Sequence, residues 1–175
     1  MKKCKICRAT FTPRFSSLQP TCERVACIIA HKKKVEEKAA KREIKAMRER
    51  LKSVSEYRKD LQKVFNEFIR LRDKDKPCIS CGAKLTGKYD AGHCFSVGSY
   101  PNLRFNELNV HGQCVQCNRH KHGAANEYMI GLEKRIGSEK LNELKSIRNE
   151  PLKLPVDQIK ELIEVYKTKI AELKK

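Results

Sequence analysis

The stretch from Tyr89 to Lys121 reads YDAGHCFSVGSYPNLRFNELNVHGQCVQCNRHK and carries a Cys-x-x-Cys pair, Cys114 and Cys117, near its end. A second pair, Cys78 and Cys81, lies upstream in the sequence CISC. The spacing C-x2-C-x32-C-x2-C is typical of one structural zinc ion, whose tetrahedral coordination four thiolates complete. The histidine and asparagine residues around the two pairs are therefore available for other chemistry.

The residues around these cysteines predict two strands and a helix. The segment AKLTGKYDAGHC, residues 83–94, is typical of a hairpin with Gly87 in the turn and residues 89–94 as a strand. The segment NVHGQC, residues 109–114, predicts a second short strand, and a helix is expected to open near Cys117. This order of strands, zinc and helix resembles the small ββα-metal core, similar to a treble clef, of HNH nucleases.

The resemblance to HNH nucleases implies roles for several residues. That motif places a histidine at the end of the first strand, an asparagine five residues before the third cysteine and a polar ligand after the fourth. The matching residues are His93, Asn109 and Asn118. Histidine titrates near neutral pH and can deprotonate water, and a carbonyl of Asn109 would hold the imidazole. Phosphodiester hydrolysis also requires a hard divalent cation, Mg²⁺ or Mn²⁺, with Asp90, Asn118 and His120 as candidate ligands.

One position departs from the common HNH pattern. These enzymes often carry an aspartate or histidine directly before the base, whereas this chain has Gly92. Asp90 has the same strand parity as Gly92 but lies about 7 Å further back along the strand. Whether Asp90 binds the metal directly, through water or not at all stays open. Cys94 is expected to be a small packed residue, and His111 and His122 are expected on the surface.

The N-terminal region predicts a second zinc site. Cys4, Cys7, Cys22 and Cys27 follow the spacing C-x2-C-x14-C-x4-C, and His31 could replace Cys27 as the fourth ligand. The odd total of nine cysteines and their local pairing argue against disulfides. So short a unit buries little apolar surface, so zinc would supply its folding free energy, on the order of 10 kcal/mol.

The net charge of +18, from 39 Lys and Arg against 21 Asp and Glu, indicates a polyanionic partner. The longest purely apolar run, VACIIA, is far too short to span a bilayer, and no secretory signal is evident. We therefore expect a cytoplasmic protein that does not enter the membrane. A basic helix is expected to bind DNA phosphates, although a merely solvated charged helix is the alternative. Its DNA-binding candidates are Lys32, Lys33, Lys34, Lys38, Lys41, Arg42, Lys45 and Arg48.

The pattern as a whole predicts a mostly helical α+β protein. Its predicted parts are an N-terminal zinc knuckle (1–31), a basic helical arm (32–54) and an HNH-like nuclease domain (55–175) with its core at 77–123. In the last part we expect helices at 55–72, with Ser55 as N-cap, at 125–136, at 138–148 and from Asp157 onward. The apolar stripe of the final helix would pack against helix 55–72 or form a dimer seam.

Several long blocks identify a specific family resemblance. The segments NEFIRLRDKDKPCISCG, DAGH and NLRFNELNVHGQCVQCNRHK, with the cysteine-rich basic N-terminus, closely resemble the NinG/Rap family of lambdoid phages. The resemblance implies a bacteriophage recombination endonuclease that cuts branched DNA, such as D-loops and four-way (Holliday) junctions. It also implies two structural Zn²⁺ ions, a catalytic Mg²⁺ or Mn²⁺, phage recombination proteins as partners, and the bacterial host cytoplasm as location.

The chain also resembles a phage junction resolvase with a four-cysteine zinc, in which an aspartate beside the base and an asparagine after the last cysteine bind Mg²⁺. Asn118 matches that asparagine, but no residue matches the aspartate cleanly. A resolvase that cuts opposing strands of a two-fold symmetric junction is expected to be a homodimer. Two other classes remain: a non-catalytic zinc-stabilised DNA-binding module on an HNH scaffold, and a redox or metal-delivery protein.

Overall fold

Five helices carry nearly half of the chain, which a computed structural model describes from residue 1 to residue 175. The contacts divide it into two units, Met1–Lys52 and Ser53–Lys175. Two small antiparallel sheets complete the architecture. The predicted class, mostly helical α+β, is therefore confirmed. None of the helices combines the length and the apolar character that a membrane span requires.

The first unit consists of a small knuckle followed by a long helix. Strands β1 (Lys2–Lys3) and β2 (Thr10–Phe11) pair antiparallel, and α1 (Val25–Arg50) follows. Helix α1 buries only Cys27, because its Lys, Glu, Ala and Arg residues favour a helix but provide no broad apolar stripe. The helix continues unbroken through residues 31 and 32, where the sequence predicted a boundary.

The core of the second unit lies between its first and last helices, α2 (Val54–Arg72) and α5 (Val156–Leu173). Phe65 of α2 meets Tyr166 of α5 edge to face, with ring centroids 5.0 Å apart. The apolar stripe of the last helix therefore packs into the core, as the first of the two predicted alternatives stated. The N-cap of helix α2 lies two residues earlier than predicted, because Ser53 and not Ser55 caps it in a capping box with Glu56.

The central hairpin pairs β3 (Tyr89–His93) with β4 (Val110–Cys114) antiparallel. The prediction that residues 83–88 would pair with β3 is wrong, since they form only an isolated bridge between Pro77 and Lys84. That segment instead closes the cysteine knuckle: Leu85 packs against Cys78 and Cys117. Because Leu85 covers these cysteines, its segment cannot also pair with β3 as a strand.

A π-helical turn (Gln116–His120) follows β4 where the sequence predicted the opening of a helix. The regular helix α3 (Ala125–Ile136) begins after Gly123 and Ala124, which both adopt positive φ angles. Helix α4 (Ser138–Ile147) follows Gly137. Both helices lie where they were predicted. The two helices and the segment that begins at Cys78 enclose a second apolar core. Its residues include Ile79, Leu103, Tyr128, Leu132, Leu141 and Leu144.

A buried carboxylate joins the end of α2 to β4. Asp73 is fully buried, pairs with Arg72 at 2.8 Å and Lys76 at 3.0 Å, and accepts a hydrogen bond of 2.9 Å from the N–H of Gly112. His111 lies against the same group, with Nδ1 3.5 Å from Asp73 Oδ2. The predicted surface position of His111 is therefore wrong, because this charged cluster buries the ring. The cluster holds the hairpin in place against α2.

Candidate active site and metal centres

The four cysteines of the second unit converge, as their spacing predicts. Cys78 and Cys81 form the knuckle, Cys114 ends β4, and Cys117 lies in the π-helical turn. Their sulfur atoms all lie within 4.8 Å of one another, and those of Cys81 and Cys114 are 3.9 Å apart. Thiolates on a tetrahedral zinc ion, with Zn–S bonds of about 2.3 Å, lie about 3.8 Å apart. The cluster could therefore hold one such ion.

The surroundings of these sulfur atoms also suit a cation. The N–H of Cys114 donates to Sγ of Cys78, and the N–H of Cys117 donates to Sγ of Cys114, each at 3.4 Å. Burial and neighbouring sulfur atoms raise the pKa of Cys117 above its usual value. Four thiolates this close together require a positive ion between them to stay deprotonated. The cluster is therefore consistent with structural zinc.

The N-terminal cysteines form a second cluster of the same kind. Cys4, Cys7, Cys22 and Cys27 bring their sulfur atoms within 4.8 Å of one another, and those of Cys7 and Cys22 are 3.8 Å apart. Burial and the neighbouring Cys22 sulfur raise the pKa of Cys27 to about 12. Cys27, and not His31, is thus the fourth member of the cluster. All nine cysteines are free thiols, as the argument against disulfides predicted.

The imidazole of His93 is held by one nitrogen only. Its Nε2 lies 3.0 Å from the main-chain carbonyl of Arg104. A carbonyl accepts hydrogen bonds, so Nε2 carries the proton and Nδ1 keeps its lone pair. Nδ1 forms no hydrogen bond within the chain. Burial lowers the pKa of His93 below the usual histidine value, which keeps the ring neutral near pH 7. Such a ring can accept a proton at Nδ1.

Asn109 does not contact this imidazole, so the predicted support from its carbonyl is wrong. Its buried side chain accepts a hydrogen bond of 2.8 Å from the N–H of Phe95 and donates to the carbonyls of Phe95 and Leu103, at 3.0 and 3.1 Å. These bonds fix both ends of the loop that connects His93 to its partner Arg104. Asn109 therefore orients the histidine through the loop, not by direct contact.

Asp90 and Asn118, two of the predicted metal ligands, do lie together. Nδ2 of Asn118 donates to Asp90 Oδ2 at 3.0 Å. The carboxylate also receives two hydrogen bonds from the guanidinium of Arg119, at 2.7 and 2.8 Å. Arg119, followed by Asn118, lowers the pKa of Asp90. In this structure, therefore, an arginine balances the charge that a metal ion was expected to balance.

The third predicted ligand, His120, stands apart from this pair. Its side chain is exposed, and no hydrogen bond or ion pair joins it to Asp90, Asn118 or His93. Asp90 and His93 are three residues apart on one strand, so their side chains leave opposite faces about 10 Å apart along it. The expected set of five residues is consequently split between an anchored base and a separate carboxylate–amide pair.

The glycine before the base has a steric explanation. A Cβ atom at Gly92 would lie 2.2 Å from Oε1 of Gln113 and 3.0 Å from its Cβ and Cδ. Gln113 is fully buried, and its Nε2 lies 2.7 Å from both the carbonyl of Gly123 and Oγ of Ser80. The amide of Gln113 thus occupies the space in which a side chain at position 92 would stand.

A comparison with known proteins matches the whole length of the chain to one family. The family described as "Bacteriophage Lambda NinG protein" matches residues 1–175. This chain belongs to the NinG family. Its curated relatives include "Protein ninG" of Escherichia phage 933W, 35% identical over 189 residues, which covers 99% of this chain and 94% of that protein. No solved structure matches the chain.

Two further NinG relatives show similar identity, one over nearly the whole chain and one over a shorter part of it. "Protein ninG" of Escherichia phage lambda is 35% identical over 193 residues, covering 99% of this chain and 93% of that protein. The protein of the same name from Salmonella phage P22 is 36% identical over 165 residues, covering 83% and 80%. The predicted relationship to NinG proteins is therefore confirmed.

The basic residues of this NinG chain lie as predicted on α1, and all eight candidates are exposed. Five basic residues recur at alternating steps of four and three positions, which places them on one face of the helix. These are Lys34, Lys38, Lys41, Lys45 and Arg48, which we call the basic stripe. It extends about 21 Å along α1, at 1.5 Å per residue. Lys32, Lys33 and Arg50 lie off this face.

Three residues that contact the candidate site had no signal in the sequence. Arg119 binds Asp90, Arg104 holds His93 with its main-chain carbonyl, and Gln113 fills the space beside Gly92. A main-chain contact carries no residue preference. The other two depend on which positions face each other across β3 and β4, which spacing along the chain does not specify. Cys94 packs beside Met129, and burial raises its pKa to about 11, as expected for a packed thiol.

Proposed function

We propose that this chain is a metal-dependent, structure-specific DNA endonuclease of the HNH type that cuts branched recombination intermediates. The observation that carries the proposal is the state of His93. Its ring is neutral, its Nε2 is anchored to the Arg104 carbonyl at 3.0 Å, and its Nδ1 is free. This is the arrangement that a general base requires. It lies at the end of β3, where His93 pairs with Val110. The four-cysteine cluster lies at the other end of the hairpin, where Tyr89 pairs with Cys114, and can hold the hairpin rigidly.

The proposed reaction is hydrolysis of a phosphodiester. Nδ1 of His93 takes a proton from a water molecule, whose oxygen forms a bond to phosphorus while the bond to the leaving sugar oxygen breaks. The leaving oxygen takes up a proton from solvent. Asn109 and the Arg104 carbonyl keep the imidazole oriented throughout, because they fix the loop and the ring.

The pair Asp90 and Asn118 is the best candidate for holding Mg²⁺ or Mn²⁺. Rotation of the Asn118 amide would place its carbonyl oxygen beside the Asp90 carboxylate, giving the oxygen donors that such ions prefer. The bound ion would neutralise charge on the phosphate and the leaving oxygen. Because Asp90 and His93 leave opposite faces of β3, this part of the chain would have to rearrange before both groups could act on one phosphate. Arg119 would have to release the carboxylate, and it could then pair with a DNA phosphate.

The basic stripe of α1 is the proposed DNA surface. Branch recognition depends on the geometry of the phosphate backbone, so a row of lysine and arginine side chains suits it. The unit Met1–Lys52 carries sixteen Lys and Arg against five Glu. We infer that this unit binds the branched DNA of phage recombination in the host cytoplasm. The chain would act as a homodimer, together with other phage recombination proteins. A homodimer would present two active sites to the two strands of a symmetric junction.

One observation favours a second candidate, a non-catalytic zinc-stabilised DNA-binding module. Arg119 occupies both oxygens of Asp90, and Gln113 blocks any side chain at position 92. A protein that never bound the divalent ion could keep this arrangement permanently. The two candidates differ in whether Asp90 and Asn118 bind a divalent ion. If they do, Arg119→Gln should lower the Mg²⁺ concentration needed for half-maximal cleavage.

The decisive experiment measures cleavage of a labelled four-way junction and a matched linear duplex with Mg²⁺ or Mn²⁺. His93→Ala should lose junction cleavage by about 100-fold or more while keeping both zinc ions. His122→Ala, which removes an exposed histidine without a partner, is the matched control and should cut normally. Binding to the junction without cutting under either metal would refute the nuclease and support the binding module.

The DNA surface is tested by the salt dependence of binding. Replacing Lys38, Lys41 and Lys45 by Gln removes three charges from the basic stripe. We expect the slope of log K against log salt to become shallower by about 2.7. Replacing Lys32, Lys33 and Arg50 by Gln removes the same charge from the other faces and should change the slope by less than about one third as much. Equal effects of the two triple variants would contradict the proposed surface.

A further inference from the structure

The tip of the N-terminal knuckle exposes two large apolar side chains. Phe15 is 81% exposed and Leu18 is 84% exposed. Both residues lie shortly before Gln19, in the loop between β2 and Cys22, the third cysteine of the N-terminal cluster. Single exposed apolar side chains are common on protein surfaces, but these two lie three positions apart in one loop and are, after Met1, the most exposed large apolar side chains of the chain. We call the segment from Arg14 to Gln19 the knuckle tip.

The knuckle tip is held in one shape by its own hydrogen bonds. Oε1 of Gln19 accepts from the N–H groups of Arg14 and Phe15, at 3.0 and 3.3 Å, and its Nε2 donates to the Thr21 carbonyl at 2.9 Å. The N–H of Gln19 donates to the Ser16 carbonyl at 2.9 Å. The loop therefore presents Phe15 without further ordering. A ligand that binds this ring does not have to meet the entropic cost of ordering the loop.

The surroundings of the tip favour a polyanion with accessible flat apolar faces. The guanidinium carbon of Arg14 lies 5.8 Å from the ring centroid of Phe15, and Lys2 reaches the Ser17 carbonyl in the same loop. Residues 1–31 carry six Lys and Arg, and Glu23 is the only acidic residue among them. The segment is therefore net positive, although Glu23 Oε2 lies 3.8 Å from Nη1 of Arg14, so a phosphate that pairs with Arg14 would have to displace Glu23. DNA offers flat apolar faces only where its bases are unpaired or unstacked.

We propose that the knuckle tip is a base-stacking site, in which Phe15, supported by Leu18, stacks on an unpaired or unstacked nucleobase at a branch point. Arg14 would pair with an adjacent phosphate. The basic stripe binds phosphates of any DNA, whereas the tip adds affinity only where a base face is open. The inference rests on the proposed DNA substrate and adds the means by which branched DNA is distinguished from linear duplex.

The test measures binding of the full-length, zinc-loaded chain without any divalent cation other than zinc. Fluorescence anisotropy gives the affinity for a linear duplex, a duplex with a three-nucleotide gap and a four-way junction. A 2-aminopurine in the gap reports stacking by loss of its fluorescence. Phe15→Ala should weaken gap and junction binding by about 5- to 150-fold and abolish the 2-aminopurine change, with linear duplex binding altered less than about twofold.

Three variants keep the test interpretable. Phe15→Tyr retains an aromatic ring and should behave as the natural chain does. Leu18→Ala should weaken gap binding by less than Phe15→Ala. Met47→Ala removes another large apolar side chain, 65% exposed, from α1 and should have no effect on binding to any of the three DNA substrates. Zinc content confirms that each variant keeps its fold.

Two results would overturn the proposal. Equal losses on linear and gapped DNA would show that Phe15 supports the fold or general affinity. Unchanged binding to all three DNA substrates would leave the tip as a surface for a protein partner. Because no cleavage is measured, a chain that stacks on the gap but never cuts a junction would refute the nuclease and leave this inference intact.

Discussion

Gly92→Ala tests most directly how the candidate site is built. Glycine to alanine, where the backbone permits it, usually stabilises a protein by about 0.4–1 kcal/mol through the unfolded state. The φ angle of Gly92 is not positive, so only space decides the outcome. The new Cβ would lie 2.2 Å from Oε1 of Gln113, well inside van der Waals contact. Gly92→Ala should therefore stabilise the protein if only the unfolded state matters, and destabilise it if the clash with Gln113 dominates.

The magnitude follows from what Gln113 would have to give up. Its buried amide cannot move without losing the contacts of 2.7 Å to Gly123 and Ser80. Overpacking costs about 1–3 kcal/mol, and an unsatisfied buried partner adds about 1–3 kcal/mol. After the entropic gain, we expect Gly92→Ala to lower the free energy of unfolding by about 2–4 kcal/mol.

A double-mutant cycle in urea isolates this clash. Gln113→Ala alone should cost about 1–3 kcal/mol through its lost hydrogen bonds. The double variant should lose little more free energy of unfolding than Gln113→Ala does. In it, only the contact of 3.0 Å between the new Cβ at position 92 and Cβ of residue 113 remains. The expected coupling energy is about 1–3 kcal/mol. Gly98→Ala, which meets no atom within 4 Å, is the control. Additive effects, or a Gly92→Ala variant as stable as the control, would refute the reasoning.

Four further results are expected. Gly131→Ala should destabilise the second unit in urea although alanine is favoured in helices by about 1 kcal/mol, because its Cβ would lie 1.8 Å from the carbonyl oxygen of Ile79; a more stable variant would disprove the close packing. Asp73→Asn should cost about 1–3 kcal/mol, because it removes the buried carboxylate that pairs with the solvent-accessible Arg72 and Lys76. The pKa of Asp73 is lowered, so the natural chain should lose stability as the pH falls below about 4, the unfolded value; the variant should lack this slope in acid titrations. Cys117→Ser should reduce bound zinc from two ions to one, measured by atomic emission, and retention of both ions would contradict the assigned cluster. Because the pKa of His93 is lowered, kcat/KM for junction cleavage should stay on its plateau below pH 6.5, and a midpoint at or above that pH would contradict an anchored neutral base.

Much of this protein could be predicted from residue types and spacing along the chain. Two Cys-x2-Cys or similarly spaced cysteine pairs are typical of one four-cysteine metal site, so both clusters were predictable. Helical periodicity in α2 and α5, and the helix-forming composition of α1, predicted those elements to within a few residues. The long family-specific blocks predicted membership of the NinG family.

Only the tertiary structure decided the contacts inside the site. The register that sets Asp90 opposite Gln113 puts the glutamine amide beside Gly92 and places Arg119 on the Asp90 carboxylate. Spacing along the chain specifies neither event, because each depends on which faces of two distant segments meet. The same applies to His111, which the Asp73 cluster buries. Sequence therefore determined the two four-cysteine clusters, whereas packing across the hairpin decided which polar groups around the second cluster form hydrogen bonds.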